Sequence, residues 1–331
     1  MILIFSNSVE PSTARVINWI NNLGGRWFRI NSIVNDGMPD VITNIMAELN
    51  DQQFSITLKK GQKSLAARDI NVIWYRRFQI KDNLNLSLEE FEKSTDSEIR
   101  RFRTSEKIAL FRSLVYRLED KFWLSHPDTA AVNKIMQLDI ARKLEIIVPK
   151  TWIISSKEQL KEVLKIYPKL ALKPIKDIRP ISMGKKFFNQ YTTIIEMDFL
   201  DHLNDEPFPF LVQEYISKDY EVRSFFIDDE FYSMAIFSQD NDQTTVDFRR
   251  YDYKYPNRNV PFKLPVDIDQ KLKKLLRRLK LNTGSIDLLV SGDKYYFLEV
   301  NPVGQFGMVS SPCNYHLHKK IAQFLIKQDN A

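Results

Sequence analysis

The sequence has few of the residues that build disulfides and metal centres, and no long apolar run. Its only cysteine is Cys313, so no disulfide forms within the chain. The four histidines show no Cys/His spacing, which argues against structural zinc: His126, His202, His316 and His318. No stretch has the length needed to cross a bilayer, and no basic segment precedes the short apolar run at residues 2–5. These absences predict a soluble cytoplasmic protein without a membrane partner.

What is present is ordinary globular composition, with 44% hydrophobic and 27% charged residues over 331 positions. That length is enough for two or three domains with sizeable cores. The 48 Lys and Arg against 42 Asp and Glu leave a net charge of +6. This mild excess suits an acidic ligand. The basic runs at 100–103 and 271–278 lie on predicted helices and are read as solvated faces, so no nucleic-acid partner is expected.

The chain organisation predicts an α/β protein. Short strand candidates and one amphipathic helix occupy the first 75 residues, and a stretch without Pro or Gly at 88–123 predicts a long helix. After Asp128 a helix at 133–144 precedes alternating short strands and a basic helix at 267–280. The segment 251–265, with three prolines, is predicted to be an ordered surface loop.

A β-hairpin near the C-terminus is the most informative segment. A three-residue loop at 292–294 places Leu288 opposite Leu298 and Asp287 opposite Glu299. Asp287 and Glu299 then share one face with Asn301. The other face is apolar throughout: Ile286, Leu288, Val290, Tyr296, Leu298 and Val300. A one-residue slip would turn acids into the core, so the pattern supports this register.

Two facing carboxylates repel each other, so a cation is expected between them. An all-oxygen set of Asp287, Glu299 and Asn301 suits a hard divalent cation, Mg²⁺ or Mn²⁺. The alternative is that these acids are solvated, or are paired with Lys or Arg on the outer face of the sheet.

Lysines at strand and helix ends are candidates for holding phosphate beside such a metal. Lys173 ends the nearly apolar strand 170–173, where a buried ammonium needs an anion, and Lys134 opens the helix after Asp128. Either lysine alone is weak evidence, because most lysines are solvated.

The segment 210–223 has the layout of a nucleotide-binding edge. Its apolar strand ends in polar residues whose backbone groups can meet a purine, and a carboxylate a few residues later can accept ribose hydroxyls. Glu214, Ile216 and Glu221 fit these roles. The alternative is two strands and a turn with incidental charge.

Taken in order, these residues resemble the ATP-grasp superfamily of ATP-dependent carboxylate ligases from Asp128 to the end. The motifs Trp74-Tyr75-Arg76-Arg77, the run 299–307 and Pro312-Cys313-Asn314-Tyr315 are similar to the branch that makes graspetides, ribosomal peptides with side-chain ester or amide crosslinks. The nearest resemblance is to the maturase of grasp-with-spasm systems.

The resemblance implies an ATP-grasp fold with an N-terminal α/β domain at 1–127, a central subdomain at 128–209 and a C-terminal subdomain at 210–331. It implies that Lys134 and Lys173 hold phosphates and that Glu221 binds ribose. The hinge that contacts adenine would be formed by Gln213, Glu214, Tyr215 and Ile216. Two Mg²⁺ ions would be held by Asp287, Glu299 and Asn301.

The resemblance further implies that a substrate carboxylate attacks the γ-phosphate of ATP, and that a hydroxyl or amine of the same peptide then displaces phosphate from the acyl phosphate. Arg223 and Arg249 are candidates for orienting the acidic peptide. Many relatives carry a glycine-rich lid, whereas the segment 173–184 has one glycine, so a lid would use Lys176, Arg179 or Lys185. The resemblance is compatible with a homodimer.

Three other readings remain open. An ATP-grasp amino-acid ligase of the glutamate-ligase or glutathione-synthetase type would add a free amino acid to its substrate. An ATP-grasp kinase would phosphorylate without forming an acyl bond, and a binding module would hold nucleotide without turnover. The mass of the product separates the enzymes from one another.

Overall fold

The computed structural model describes residues 1–7, 9–32, 42–47, 54–58, 64–78, 97–175, 181–183, 186–188, 191–239, 246–247, 252 and 254–331. It is a mixed α/β structure with two compact units. Residues 1–130 and 316–331 form the first unit, and residues 131–315 form the second. No helix in the described ranges is long and apolar enough to span a membrane.

The first unit is built on a four-stranded parallel sheet in the order β2-β1-β6-β7. Its strands are β1 (Ile2–Asn7), β2 (Trp27–Ser32), β6 (Val72–Tyr75) and β7 (Phe122–Leu124). A separate antiparallel sheet contains β3 (Ile42–Ala47), β4 (Phe54–Leu58) and β5 (Ser64–Ala66), followed by a short 3-10 helix (Ala67–Asp69). As its unbroken apolar sequence predicts, β1 is buried at its four apolar positions, and the burial extends to Ser6.

In the described part of this unit there are three α-helices: α1 (Pro11–Asn22), α2 (Ser97–Arg117) and α7 (Leu317–Asp329). Proline opens α1, where its missing N–H costs nothing, and the Glu10 carboxylate caps the helix by accepting from the Ser12 N–H at 3.1 Å. The predicted helix at 88–123 ends at Arg117 in the structure, and its first residues, 88–96, lie outside the described ranges. Its C-terminal part instead forms β7, because Phe122–Leu124 extends the parallel sheet beside β6.

The C-terminal helix α7 belongs to the first unit. The helix packs on α1 within the first unit, and Asn71 donates a hydrogen bond to the Asp329 carbonyl at 3.1 Å. The N-terminal ammonium also pairs with the Asp329 carboxylate. The start of the second unit at Ala131 lies close to the predicted boundary near 128, and the predicted border at 209–210 stays a prediction.

The second unit contains two antiparallel sheets and a separate hairpin. One sheet has the order β12-β9-β13-β8, with β8 (Thr151–Ile154), β9 (Leu170–Lys173), β12 (Thr193–Ile195) and β13 (Phe210–Glu214). The hairpin consists of β10 (Ile181–Met183) and β11 (Lys186–Phe188). The larger sheet has the order β16-β15-β14-β17-β18, with β14 (Tyr220–Ile227), β15 (Glu230–Phe237), β16 (Arg258–Phe262), β17 (Gly284–Ser291) and β18 (Lys294–Asn301).

Helices cover these sheets: α3 (Lys134–Lys143), α4 (Lys157–Ile166), α5 (Val266–Arg278), the short α6 (Phe306–Ser310) and a 3-10 helix (Met197–His202). The leucines of α5 at 272, 275 and 276 pack into a core with the inner face of β14, β17 and β18. Strand β16 corrects the predicted loop at 251–265. Its Pro261 argued against a strand, but β16 is an edge strand, where a missing N–H leaves no hydrogen bond unmade.

The β17–β18 hairpin confirms one predicted pair and corrects another. Asp287 faces Glu299 as predicted, but Leu288 faces Phe297 instead of Leu298. The loop has two residues instead of three, with Gly292 at a φ of 55°, and a bulge after Asp287 restores the predicted pairing further out. The shift places Phe297 in the core, so the predicted apolar face was wrong at Tyr296 and Leu298.

Candidate functional site

A pocket in the second unit brings together most of the residues that the sequence predicted. It is lined by both lysines, by the hinge and by three acids: Lys134 and Lys173; Gln213, Glu214, Tyr215 and Ile216; and Glu221, Asp287 and Glu299. Arg223 of β14 and Asn301 of β18 belong to the same sheet as the two facing acids but do not line the pocket. Arg249 and the lid candidates Lys176, Arg179 and Lys185 lie outside the described residues.

A row of charged residues crosses three neighbouring strands. Arg223 of β14 pairs in register with Asp287 of β17, and Asp287 pairs with Glu299 of β18. Residues opposite one another in a sheet project to the same face. The row therefore carries one guanidinium and two carboxylates side by side.

Each of the two carboxylates has a cation of its own. Arg223 Nη1 lies 3.2 Å from Asp287 Oδ1, and the Arg223 side chain is only 5% exposed. Lys134 Nζ lies 2.7 Å from Glu299 Oε2. The predicted repulsion between the two acids is thus offset by protein cations in this structure.

Gln137 holds Lys134 in this position. Its buried side chain donates to the Val300 carbonyl at 3.0 Å and accepts from the Val300 N–H at 2.8 Å, which attaches α3 to β18. Lys134 and Gln137 are three residues apart and therefore lie on one face of the helix. The residue before Val300 is Glu299, so the same attachment brings the ammonium to that carboxylate.

The hinge segment comprises the last two residues of β13 and the two residues after the strand. Gln213 donates to the Thr151 hydroxyl at 3.0 Å, and the Glu214 carboxylate accepts from the Lys150 N–H at 3.0 Å. The Glu214 N–H in turn donates to the Lys150 carbonyl at 2.9 Å. These contacts anchor the strand end, and Tyr215 and Ile216, which have no regular secondary structure, line the pocket.

Glu221 is a buried acid at the same pocket. Its carboxylate lies 2.5 Å from Lys218 Nζ and accepts from the Ser238 hydroxyl at 3.2 Å. Burial raises the pKa of Glu221 above its ordinary value, and Asp247 adds to the rise, whereas Lys218 and Ser238 act in the opposite direction. Ser238 and Lys218 therefore support the ionised form without fully offsetting the burial.

The donor set fits a hard divalent cation. Mg²⁺ is bound by one or two carboxylates together with water and substrate phosphates. Asp287 and Glu299 supply the two carboxylates. The described residues contain no group of three or more His, Cys, Asp and Glu side chains that could hold a metal ion, so water and phosphate would have to complete the coordination here. The amide oxygen of Asn301 accepts from the Val303 N–H at 3.1 Å, which fixes its orientation at the strand end.

Sequence reasoning missed four residues that shape this site. Lys218 and Asp247 line the pocket, Gln137 holds α3, and Gln305 accepts a hydrogen bond from Arg223 at 3.2 Å. Lys218 lies three residues before Glu221 and could have been noticed as its partner. The other three act across long sequence separations and leave no local pattern.

This combination of sheets and pocket defines the ATP-grasp fold, which the sequence predicted. Residues 1–130 match the family model of the MvdD pre-ATP grasp domain. No curated protein matches the sequence closely enough to count as a relative.

Three solved structures align over nearly the full length. The macrocyclase MdnC of Microcystis aeruginosa MRC, bound with precursor peptide MdnA, is 25% identical over 99% of both chains, with a TM-score of 0.79. A RiPP-associated ATP-grasp ligase of Chryseobacterium gregarium, in complex with ADP and a leader and core peptide, is 23% identical over 99% of this chain and 96% of its own, with a TM-score of 0.82. The ATP-grasp ligase PsnB, complexed with minimal precursor, Mg and ADP, is 15% identical over 99% and 97%, with a TM-score of 0.75. These matches confirm the predicted resemblance to peptide-modifying ATP-grasp enzymes.

Proposed function

We propose that the protein is an ATP-dependent ligase that crosslinks a ribosomal precursor peptide. It activates Asp or Glu side-chain carboxylates as acyl phosphates and joins them to Ser or Thr hydroxyls or to Lys amines. The observation that carries the proposal is the meeting of a strand-end hinge, two lysines and a facing acid pair in one pocket. Full-length likeness to ligases whose structures hold precursor peptides supports the peptide as substrate.

ATP and Mg²⁺ are the cofactors of this proposal, supported by relatives solved with ADP and with Mg. Bound Mg²⁺ offsets phosphate charge during transfer. Asp287, Glu299 and Asn301 are proposed to hold it, as two ions, with Mn²⁺ as a substitute. Lys134 and Lys173 would bind phosphate oxygens, and this requires Lys134 to leave Glu299.

The remaining groups bind the nucleotide base, the ribose and the acceptor acid. The hinge at 213–216 offers backbone groups to adenine, and Glu221, whose ionised form is favoured by the Lys218 ammonium, accepts ribose hydroxyls. Arg223 lies beside the acid pair and is proposed to orient the acceptor carboxylate, together with Arg249. Because water would hydrolyse an acyl phosphate, the pocket must close before transfer.

The cellular setting is part of the same proposal. ATP and a newly made ribosomal peptide meet in the cytoplasm, so we place the enzyme there. We retain the division at 209–210 into central and C-terminal ATP-grasp subdomains, and the homodimer, as proposals.

The test is an incubation with ATP, MgCl₂ and the small acidic peptides encoded beside the gene. We expect each crosslink to lower the mass of the peptide by about one water, because a condensation joins two of its own side chains. A mass increase by phosphate would indicate the kinase instead, and an increase by one residue would indicate an amino-acid ligase. Either increase would contradict the proposal.

A variant pair ties the activity to the acid pair. Glu299→Gln should lower the crosslinking rate by more than about 100-fold, because loss of residues beyond the ligand shell already costs about 10- to 100-fold at metal sites. Asp293→Asn removes an exposed acid from the turn of the same hairpin and should leave the rate unchanged. Equal rates for the two variants would remove the acid pair from the mechanism.

A further inference from the structure

The first unit has a crevice that the proposed function does not use. In its parallel sheet, β2 lies on one side of β1, and β6, which is later in the chain, lies on the other. The strand order therefore reverses between β1 and β6. In open parallel sheets, ligands bind beyond the carboxyl ends of the strands at this kind of reversal.

Charged side chains meet at that position. Glu10 comes shortly after β1, and Arg76 and Arg77 directly follow β6. Arg77 Nη1 lies 3.0 Å from Glu10 Oε2, and Arg76 Nη2 lies 3.7 Å from Glu10 Oε1. Glu10 and Arg76 are buried, whereas the side chain of Arg77 is 43% exposed. We call these three residues the arginine cluster.

The backbone at this edge is held in an unfavourable conformation. Arg77 has a φ of 55°, and Ser125, at the end of the neighbouring β7, has a φ of 61°. Residues with a side chain rarely adopt this left-handed region, and such strain concentrates at functional sites. An arginine, instead of a glycine, occupies a position that would favour glycine.

The arginine cluster carries an excess of positive charge. Two guanidiniums face one carboxylate, and burial lowers the pKa of Arg76 only to about 10, so it is charged at neutral pH. His318 of α7 also lies close. Burial, Arg15 and Arg76 lower the pKa of His318, so it is neutral there and adds no further charge.

We propose that the arginine cluster is a binding site for a carboxylate group of an acidic peptide. Arg77 contacts the incoming carboxylate, and Arg76 adds a second positive charge beside it. The site goes beyond the proposed function and rests on it only for naming a peptide as the source of the carboxylate. The arrangement already holds one carboxylate, that of Glu10, in contact with both arginines.

Glu10 is then an internal competitor of the ligand. An arginine shared with a protein carboxylate binds a second one more weakly than an arginine that faces it alone. Replacing Glu10 by glutamine keeps an oxygen that can accept from the Ser12 N–H and removes the competing charge. A purely structural role for the cluster predicts no gain of affinity from this change.

The experiment uses the full chain with ADP and Mg²⁺ at pH 7.5 and constant ionic strength. N-acetyl-glutamate N-methylamide represents a side-chain carboxylate, N-acetyl-alanine represents a C-terminal one, and N-acetyl-glutamine N-methylamide is the neutral control. Binding is followed by ligand-observed NMR titration. We expect saturable binding of a carboxylate probe and none of the neutral probe, and the tighter of the two carboxylates identifies the source.

Variants assign the binding to the cluster. Arg77→Gln should weaken the carboxylate probe at least about tenfold, and Glu10→Gln should tighten it. Arg101→Gln, on the exposed face of α2 in the same unit, should change nothing. The proposal is overturned if the neutral probe binds equally well, if Arg77→Gln binds as the wild type does, or if inorganic phosphate binds more tightly than both carboxylates.

The ADP affinity is measured on the same samples. Normal ADP binding without carboxylate binding overturns this proposal alone, whereas absent ADP binding overturns the proposed function. If Glu10→Gln does not fold, Arg77→Gln decides the matter, because its half-exposed side chain can be replaced without opening the core.

Discussion

Glu10 in the first unit and Glu221 in the second are both buried, with 5% and 6% of their surface exposed. Their pKa values are nevertheless shifted in opposite directions. Burial raises the pKa of both acids. At Glu10 the guanidiniums of Arg76 and Arg77 and the hydrogen bonds from Ser12 outweigh burial, and the pKa lies below the ordinary value of 4.5. At Glu221 burial outweighs the attraction of Lys218, Asp247 adds repulsion, and the pKa lies above 4.5.

The balance of charges around each acid explains the difference. Among the described residues, Glu10 contacts two cations, whereas Glu221 contacts one cation and has a second acid, Asp247, nearby. Ionisation of Glu10 therefore stabilises the fold, whereas ionisation of Glu221 costs stability. The contribution of Glu10 to the free energy of unfolding therefore changes with pH below 4.5, and that of Glu221 changes with pH above 4.5.

The largest expected effect comes from removing the acid of the first unit. Glu10→Gln leaves two guanidiniums without their carboxylate, so the free energy of unfolding should fall by about 3 kcal/mol at pH 7. Since the pKa of Glu10 is lowered in the fold, the wild type loses this advantage as the pH falls below 4.5 through that pKa. Urea unfolding at a series of pH values from 7 to 3 measures how the difference in free energy of unfolding between the wild type and Glu10→Gln decreases.

Glu98→Gln is the matched control, because Glu98 forms an exposed pair with Arg101 at 3.2 Å. We expect its unfolding midpoint to equal that of the wild type. If the difference in free energy of unfolding between the wild type and Glu10→Gln stayed constant down to pH 3, the lowered pKa of Glu10 would be contradicted.

A smaller effect is expected from removing the cation of the second unit. Lys218→Met leaves Glu221 without its nearest cation, so the pKa of that acid rises further. At low pH Glu221 is protonated and the variant should match the wild type. Above pH 4.5 the variant loses stability relative to the wild type as the pH rises through the raised pKa of Glu221. The loss in free energy of unfolding should reach about 2 kcal/mol near pH 8.

The loss is smaller than for Glu10→Gln because Glu221 can keep its proton and avoid a buried charge. Lys294→Met, at an exposed position of the same unit, should show no such pH dependence. If Lys218→Met were equally destabilised at pH 4 and pH 8, Glu221 would not be the group responsible.

The smallest effect is expected from removing one of the two cations at Glu10. After Arg76→Met the carboxylate keeps Arg77 at 3.0 Å and the Ser12 N–H, and methionine refills part of the buried volume. The free energy of unfolding should fall by less than about 1 kcal/mol in urea titrations at pH 7. If Arg76→Met lowered the free energy of unfolding as much as Glu10→Gln does, Arg76 would be essential for the stability of the cluster, and the cluster would have no surplus cation.

Local patterns predicted much of the second unit. The facing acids were predicted from strand alternation, and the Asp287–Glu299 pair was right although the loop length was wrong. Lys173 and the segment 210–223 were predicted from apolar strands that end in polar residues, and the hinge was implied by the family resemblance. A bulge compensated for the shorter loop, and nothing in the sequence distinguishes a three-residue loop from a two-residue loop with a bulge. Strand β16 was missed because proline is compatible with a strand only at an edge, and edges are decided by sheet order.

By itself the sequence determined which acids face each other, because hairpin partners are close along the chain and alternation assigns their faces. Only the tertiary structure decided which cations reach them. Lys134 and Glu299 are paired through the attachment of α3 to β18 by Gln137, and Arg223 meets Asp287 because β14 lies beside β17. Contacts of this kind depend on the order of strands and the packing of helices, which local alternation does not encode.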